Sequence, residues 1–289
     1  MLNFPEAWDI GWEVIKAIDW LVDWVIINCD PFFAAINVVI SRGILGPFED
    51  FLQWIPWWIF IAVVGLIAWR AVSVKFGITA IVFLVIMGFL GLYDLAMSTL
   101  AIVLTASLLC IVVGIPLGIS ASKSSRFERI LRPILDGMQT MPSFVYLIPA
   151  LMLFGLGRTP AVIATTIYAI PPIIRLTTLG INGVDSQVVE AGKSFGATPW
   201  QMLAKVQIPL AMPTILAGLN QTIMMALAMV VIASMIGAKT LGTEVLNGIA
   251  RIEVGRGFIG GLGIVFTAII LDRISQGFAK KPKTIRTAT

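Results

Sequence analysis

Apolar residues in this chain come in long uncharged runs, separated by short stretches where charge collects. About 20 apolar residues span a hydrocarbon core of roughly 30 Å, and backbone polar groups at that depth must pair internally, so such runs predict membrane-crossing helices. Seven runs qualify or nearly do, over 53–69, 76–93, 95–122, 137–157, 159–174, 206–238 and 257–271. Only Arg158 separates the fourth from the fifth, and Gly155, Gly157 and Pro160 around it favour a tight hairpin of two helices over one re-entrant element. The expectation is an all-α, polytopic membrane helix bundle of about seven spans.

The first fifty residues differ in kind. Glu6, Asp9, Glu13, Asp19, Asp23 and Asp30 alternate with Trp8, Trp12, Trp20 and Trp24. Trp8, Trp12, Ile15 and Asp19 recur at helical spacing, which predicts an amphipathic helix lying in the headgroup layer. A secretory signal peptide does not fit, because three acids precede the first Lys. A span over 24–40 is the rival reading, and Asp30-Pro31 at its middle counts against it. The expected organisation is an interfacial segment over 1–52, a transmembrane domain over 53–275 and a basic tail over 276–289.

Composition agrees with the pattern: 58% of residues are apolar, 12% are charged and the mean hydropathy is +0.96. Charge then fixes an orientation, since Lys and Arg near span ends stay on the cytoplasmic side. With seven spans and the N-terminus outside, fourteen basic residues fall inside: Arg70, Lys75, Lys123, Arg126, Arg129, Arg132, Arg175, Lys193, Lys205, Arg273, Lys280, Lys281, Lys283 and Arg286. Six fall outside, namely Lys16, Arg42, Arg158, Lys239, Arg251 and Arg256. That threading puts the polar stretch over 175–205 in the cytoplasm.

Little in the chain reads as enzyme chemistry. There is no His, and Cys29 and Cys110 are the only cysteines, so neither a metal site of the His or Cys type nor a disulfide framework is expected. Gly192-Lys193-Ser194 looks like the end of a phosphate-binding loop, but Gln187 stands where that loop needs Gly and no strand precedes it. ATP binding by this chain is therefore not expected.

The polar stretch carries its own folding instructions. Asp185 is placed to cap a short helix starting at Ser186. Gly192 and Gly196 loosen or end that helix, and Thr198-Pro199-Trp200-Gln201 reads as a second start with a capping box. Pro209 and Pro213 are expected to break the chain beyond that second start. Two short helices at an angle result, with Glu190 exposed and Gly196 open to close approach by a partner.

Glu190, Ala191, Gly192, Gly196, Val206, Ile208 and Pro209 resemble, in type and spacing, the cytoplasmic loop of ABC-importer permeases, with Gly192 departing from the usual second Ala. Over about residues 55 to 275 the chain is similar to the glycine betaine/proline branch of that family, notably in QTMPSFVYLIP from Gln139, AIPPIIRLTTLGI from Ala169 and the run over 219–242. The resemblance implies a transport subunit, not an enzyme, in a bacterial or archaeal inner membrane with its C-terminus inside. Glu190, Ala191, Gly192, Gly196 and Pro209 then serve an ATPase-coupling loop over 175–209. The implied partners are a pair of ATPase subunits, which hold the ATP and Mg, an extracytoplasmic substrate-binding protein and a second permease subunit, with a homodimer fitting an unduplicated chain. Membrane lipid is implied, nucleic acid is not. A quaternary ammonium solute is held by aromatic faces and apolar contact, which makes Phe144, Tyr146, Tyr168, Met224 and Met225 candidates for the substrate path. Gly114-x-x-x-Gly118 and Gly257-x-x-x-Gly261 suit close helix packing within the subunit or across a dimer. Two alternatives stay open: a permease for another small solute such as an amino acid, and an ATP-independent channel or carrier.

Overall fold

The computed structural model describes residues 10–279. Glu6, Trp8 and Asp9 at the start, and Lys280, Lys281, Lys283 and Arg286 of the basic tail, lie outside the described residues. The described chain is helical throughout: α1 (Gly11–Trp54), α2 (Trp57–Ala71), α3 (Val74–Phe89), α4 (Tyr93–Lys123), α5 (Ser125–Thr140), α6 (Ser143–Phe154), α7 (Arg158–Asn182), α8 (Ser186–Ser194), α9 (Pro199–Ile236), α10 (Leu241–Arg251) and α11 (Val254–Ala279).

The count of seven spans is not what length and composition give. Five helices are long and apolar enough to cross a membrane, namely α1, α4, α7, α9 and α11, and α5 with α6 makes a sixth if that bent pair is one span. At a rise of 1.5 Å per residue, α2 with 15 residues and α3 with 16 fall short of a core of roughly 30 Å. They form a hairpin in which Gly77 approaches Gly65 and Trp69 closely. The run over 137–157 is also not one helix: it starts inside α5, breaks at Met141-Pro142 with a 108° bend, and ends with α6.

α1 is one helix of 44 residues that passes through Asp30-Pro31 without a break. Its first half is mostly exposed, whereas Ile40, Leu45, Glu49 and Leu52 are buried in the bundle, and Phe33 meets Phe154 of α6 edge-on at 5.4 Å. The turn from α6 to α7 relies on glycine: Gly155 has φ +75° and Gly157 φ +130°, conformations that cost other residues strain. Gly157 N–H donates to Ile236 O at 2.9 Å, fastening this turn to the end of α9.

At the centre α4, α7 and α9 pack along one another around Val103, Cys110, Ile170, Ile173, Ile174, Ala226 and Val230. Contact is close because small residues line it. A Cβ on Gly114 would meet Ile173 Cγ2 at 2.5 Å, and one on Gly118 would stand 2.8 Å from Ile174 O. That pair therefore works within the subunit. Gly257 faces Gly248 of α10, while Gly261 has open space around it. α11 is tied to α9 by polar groups: Asn220 Nδ2 donates to Asp272 Oδ1 at 2.9 Å, and Ser275 Oγ donates to Asn220 Oδ1.

Pro209 and Pro213 do not break the chain, contrary to the sequence expectation. α9 runs through both, and its turn over Leu203–Gln207, just before Pro209, is wound as a π-helix. A proline ring clashes with the carbonyl four residues back, and a wide turn moves that carbonyl aside for Pro209.

Candidate coupling elbow and substrate path

Between α7 and α9 the chain makes an elbow, and each of its corners has a local cause. Asp185 Oδ1 accepts Gln187 N–H at 2.8 Å and starts α8. Nine residues later α8 ends in a paired cap: Gly196 N–H reaches Lys193 O at 2.9 Å and Ala197 N–H reaches Gly192 O at 3.1 Å, with Gly196 left-handed at φ +77°. α9 then opens with a reciprocal box, in which Gln201 N–H donates to Thr198 Oγ1 at 3.3 Å and Thr198 N–H donates to Gln201 Oε1 at 2.9 Å. Both caps expected from sequence are present.

The inner side of the elbow is packed. Met202 and Leu203 are buried, and Leu203 joins Ile181, Ala211 and Ile215 in a small cluster below α8. Gly192 has a reason here, since a Cβ on it would stand 2.4 Å from Met202 Cε. The departure from the family's usual Ala is thus matched by a long thioether filling the same space. Gly196 is required by its backbone angle, and nothing lies within 4 Å of its absent Cβ.

The outer side is bare. Glu190 and Ala191 are exposed, Phe195 is 93% exposed and Trp200 is 70% exposed. Sequence reasoning passed over these two aromatics, although a Phe and a Trp inside a polar loop were a readable signal. Pro209 lies on α9, beyond the π-wound turn and outside the exposed elbow itself. Gly192-Lys193-Ser194 sits in the last turn of α8, the negative end of its dipole, which repels phosphate.

Of the candidate path residues, two meet. Tyr146 and Tyr168 stand edge-to-face with centroids 5.9 Å apart, and Tyr146 O–H donates to Met138 O. Phe144 lies exposed on the short turn between α5 and the body of α6. Met224 and Met225 are half-buried on α9 and pack against the central cluster. The tyrosine pair spans α6 and α7, the two helices on either side of the glycine turn.

The elbow lies within a segment, residues 110–283, that matches the family model described as binding-protein-dependent transport system inner membrane component. The chain belongs to this family. As an inner membrane component it is a multi-pass membrane protein, in keeping with its apolar helices. It is 51% identical over 263 residues, 91% of its length and 74% of the relative's, to the glycine betaine/proline betaine transport system permease protein ProW of Escherichia coli. It is 48% identical to the glycine betaine/carnitine transport permease protein GbuB of Listeria monocytogenes, over 98% of this chain and 100% of that one. Among solved structures, a chain of the MetNI methionine ABC transporter in an inward facing conformation superposes with a TM-score of 0.57 at 19% identity. That match covers 63% of this chain and 91% of the other, and it shows that this family member shares the fold.

Proposed function

We propose that this chain is the membrane-spanning permease of an ATP-driven importer for glycine betaine or a close relative of it. The observation that carries the reading is the capped elbow of α8 and α9, whose inner face is packed and whose outer face presents Glu190, Ala191, Phe195 and Trp200 for docking. An exposed Phe and Trp on a rigid, well-capped element make a protein-docking surface. The elbow receives an ATPase subunit, which holds ATP and Mg, and α8 transmits its closure to α7 and α9. Two such permeases and two ATPases alternate the path between inward-open and outward-open, with solute delivered from an extracytoplasmic binding protein. The basic residues that flank the elbow, Arg175, Lys193 and Lys205, support its lying on the cytoplasmic side.

The solute is inferred from the relatives, whose names give glycine betaine with proline betaine or carnitine. Tyr146 and Tyr168 offer aromatic faces of the kind that attract a quaternary ammonium, although Tyr146 is buried in this conformation. The test is uptake of radiolabelled glycine betaine into proteoliposomes holding this chain with its ATPase and binding protein. ATP-dependent uptake, weakly competed by choline, proline and other amino acids, is expected. ATP-dependent transport of another solute would discard betaine and keep the importer. Uptake without ATP or partner would discard the importer.

A further inference from the structure

α5 is unlike the helices around it. Only Ser124 separates it from α4, a helix long and apolar enough to cross a membrane, and it turns 108° away from α6. One stripe of it packs inward through Phe127, Leu131, Leu135 and Met138, which are buried or half-buried. Beside that stripe runs a second apolar ridge that nothing in the subunit covers, in which Ile130 is 64% and Ile134 54% exposed. Arg126 heads the same ridge, four residues before Ile130, and Arg129 lies next to it on the polar face. Both arginines are exposed. Arg132 is taken up by Glu128 at 2.9 Å, whereas Arg126 is in no ion pair among the described residues, and Arg129 reaches only the backbone, at Ser125 O 3.2 Å away.

An apolar ridge edged by unneutralised arginines, on a helix at the exit of a span, has the chemistry of a headgroup-layer helix. We propose that α5 lies in the membrane surface, its Ile130 and Ile134 among the acyl chains, and that Arg126 and Arg129 bind the phosphates of anionic phospholipid. The site is also wired inward. Asp136, two turns along α5 from Arg129, pairs with Arg175 of α7. α7 ends at Asn182, and the helix of the elbow begins at Ser186. α5 thus fastens the headgroup layer to the helix that carries the elbow, whatever solute is transported.

The test uses the full chain in nanodiscs, with Cys29→Ser and Cys110→Ala so that one spin label can be placed at Ile134→Cys and, separately, on the polar face at Gln139→Cys. Collisions with oxygen and with a water-soluble nickel chelate report depth. A label at 134 that meets oxygen and little nickel, with the reverse at 139, is expected. A label at 134 open to nickel overturns the placement, and so does one shielded from both quenchers, which would mark a protein interface, or one shielded only when the ATPase is added. The headgroup half is read separately, as phosphatidylglycerol retained over phosphatidylcholine by the purified chain in native mass spectrometry. R126Q/R129Q should lower that preference about tenfold, and R126K/R129K should keep it. An unchanged preference in the Gln pair, at an unchanged melting temperature, overturns the lipid assignment.

Discussion

Arg158, the first residue of α7, pairs with Glu49 near the end of α1. The carboxylate is buried and also accepts Ser98 Oγ of α4 at 3.1 Å, so one side chain joins three helices. Sequence placed Arg158 in an outer turn and gave Glu49 no part. The pair makes the N-terminal helix a structural member of the bundle. Arg158→Gln leaves a buried carboxylate without its cation and should cost about 1–3 kcal/mol, at the lower end because the guanidinium is half exposed. E49Q/R158Q should regain most of the loss. Melting temperatures of the three variants in detergent decide it, and equal loss in the single and double variants would remove the pair as the cause.

Gly118 and Gly261 look alike in sequence and differ in space. A methyl on Gly118 meets the backbone carbonyl of Ile174, which cannot move without α7. Gly118→Ala should therefore destabilise the chain by about 1–3 kcal/mol. Gly261→Ala enters open space and should be neutral or slightly stabilising, because alanine is the better helix former. Denaturation of the two variants side by side checks this, and a stable Gly118→Ala would mean that α4 and α7 do not pack as described.

Asn220 and Asp272 offer a third test. Asp272 Oδ1 accepts both Asn220 Nδ2 and Gln276 Nε2, at 2.9 and 2.7 Å, in a half-buried position between α9 and α11. Asn220→Leu removes one donor to the Asp272 carboxylate and one acceptor of the Ser275 hydroxyl, which keeps the Asp272 carbonyl at 2.9 Å. A loss of about 1–3 kcal/mol in thermal unfolding is expected, whereas an unchanged melting temperature would show that water serves the carboxylate equally well.

The elbow was legible because caps are local. Asp185, Thr198 and Gln201 act on backbone groups two or three residues away, and their side chains say so in one dimension. The prolines misled for the same reason: Pro209 breaks an ordinary helix, and only the π-wound turn before it, a feature of the packed chain, lets α9 continue. The span count departs from the helix lengths at α2 and α3, apolar helices of 15 and 16 residues, and Asp30-Pro31 sits inside an unbroken helix. The partner of Glu49, 109 residues away, has no mark in the sequence at all.

Gly196 and Phe195 are neighbours with separable roles, and a comparison of the two tests the elbow as a docking surface. Gly196 is held at φ +77° by the cap that ends α8, so Gly196→Ala forces a side chain into a left-handed conformation at about 1–2 kcal/mol. The cap frays, α8 loses its angle to α9, and ATPase binding and stability should fall together. Phe195 supports nothing inside the subunit, being almost wholly exposed. Phe195→Ala should leave the melting temperature unchanged while weakening ATPase association about tenfold or more, the effect of removing an aromatic anchor from an interface. Co-purification with the ATPase and betaine-stimulated ATP hydrolysis read the binding, and thermal unfolding reads the fold. If Phe195→Ala binds and couples like the unaltered chain, that aromatic is not a contact, and docking must rest on Glu190, Ala191 and Trp200.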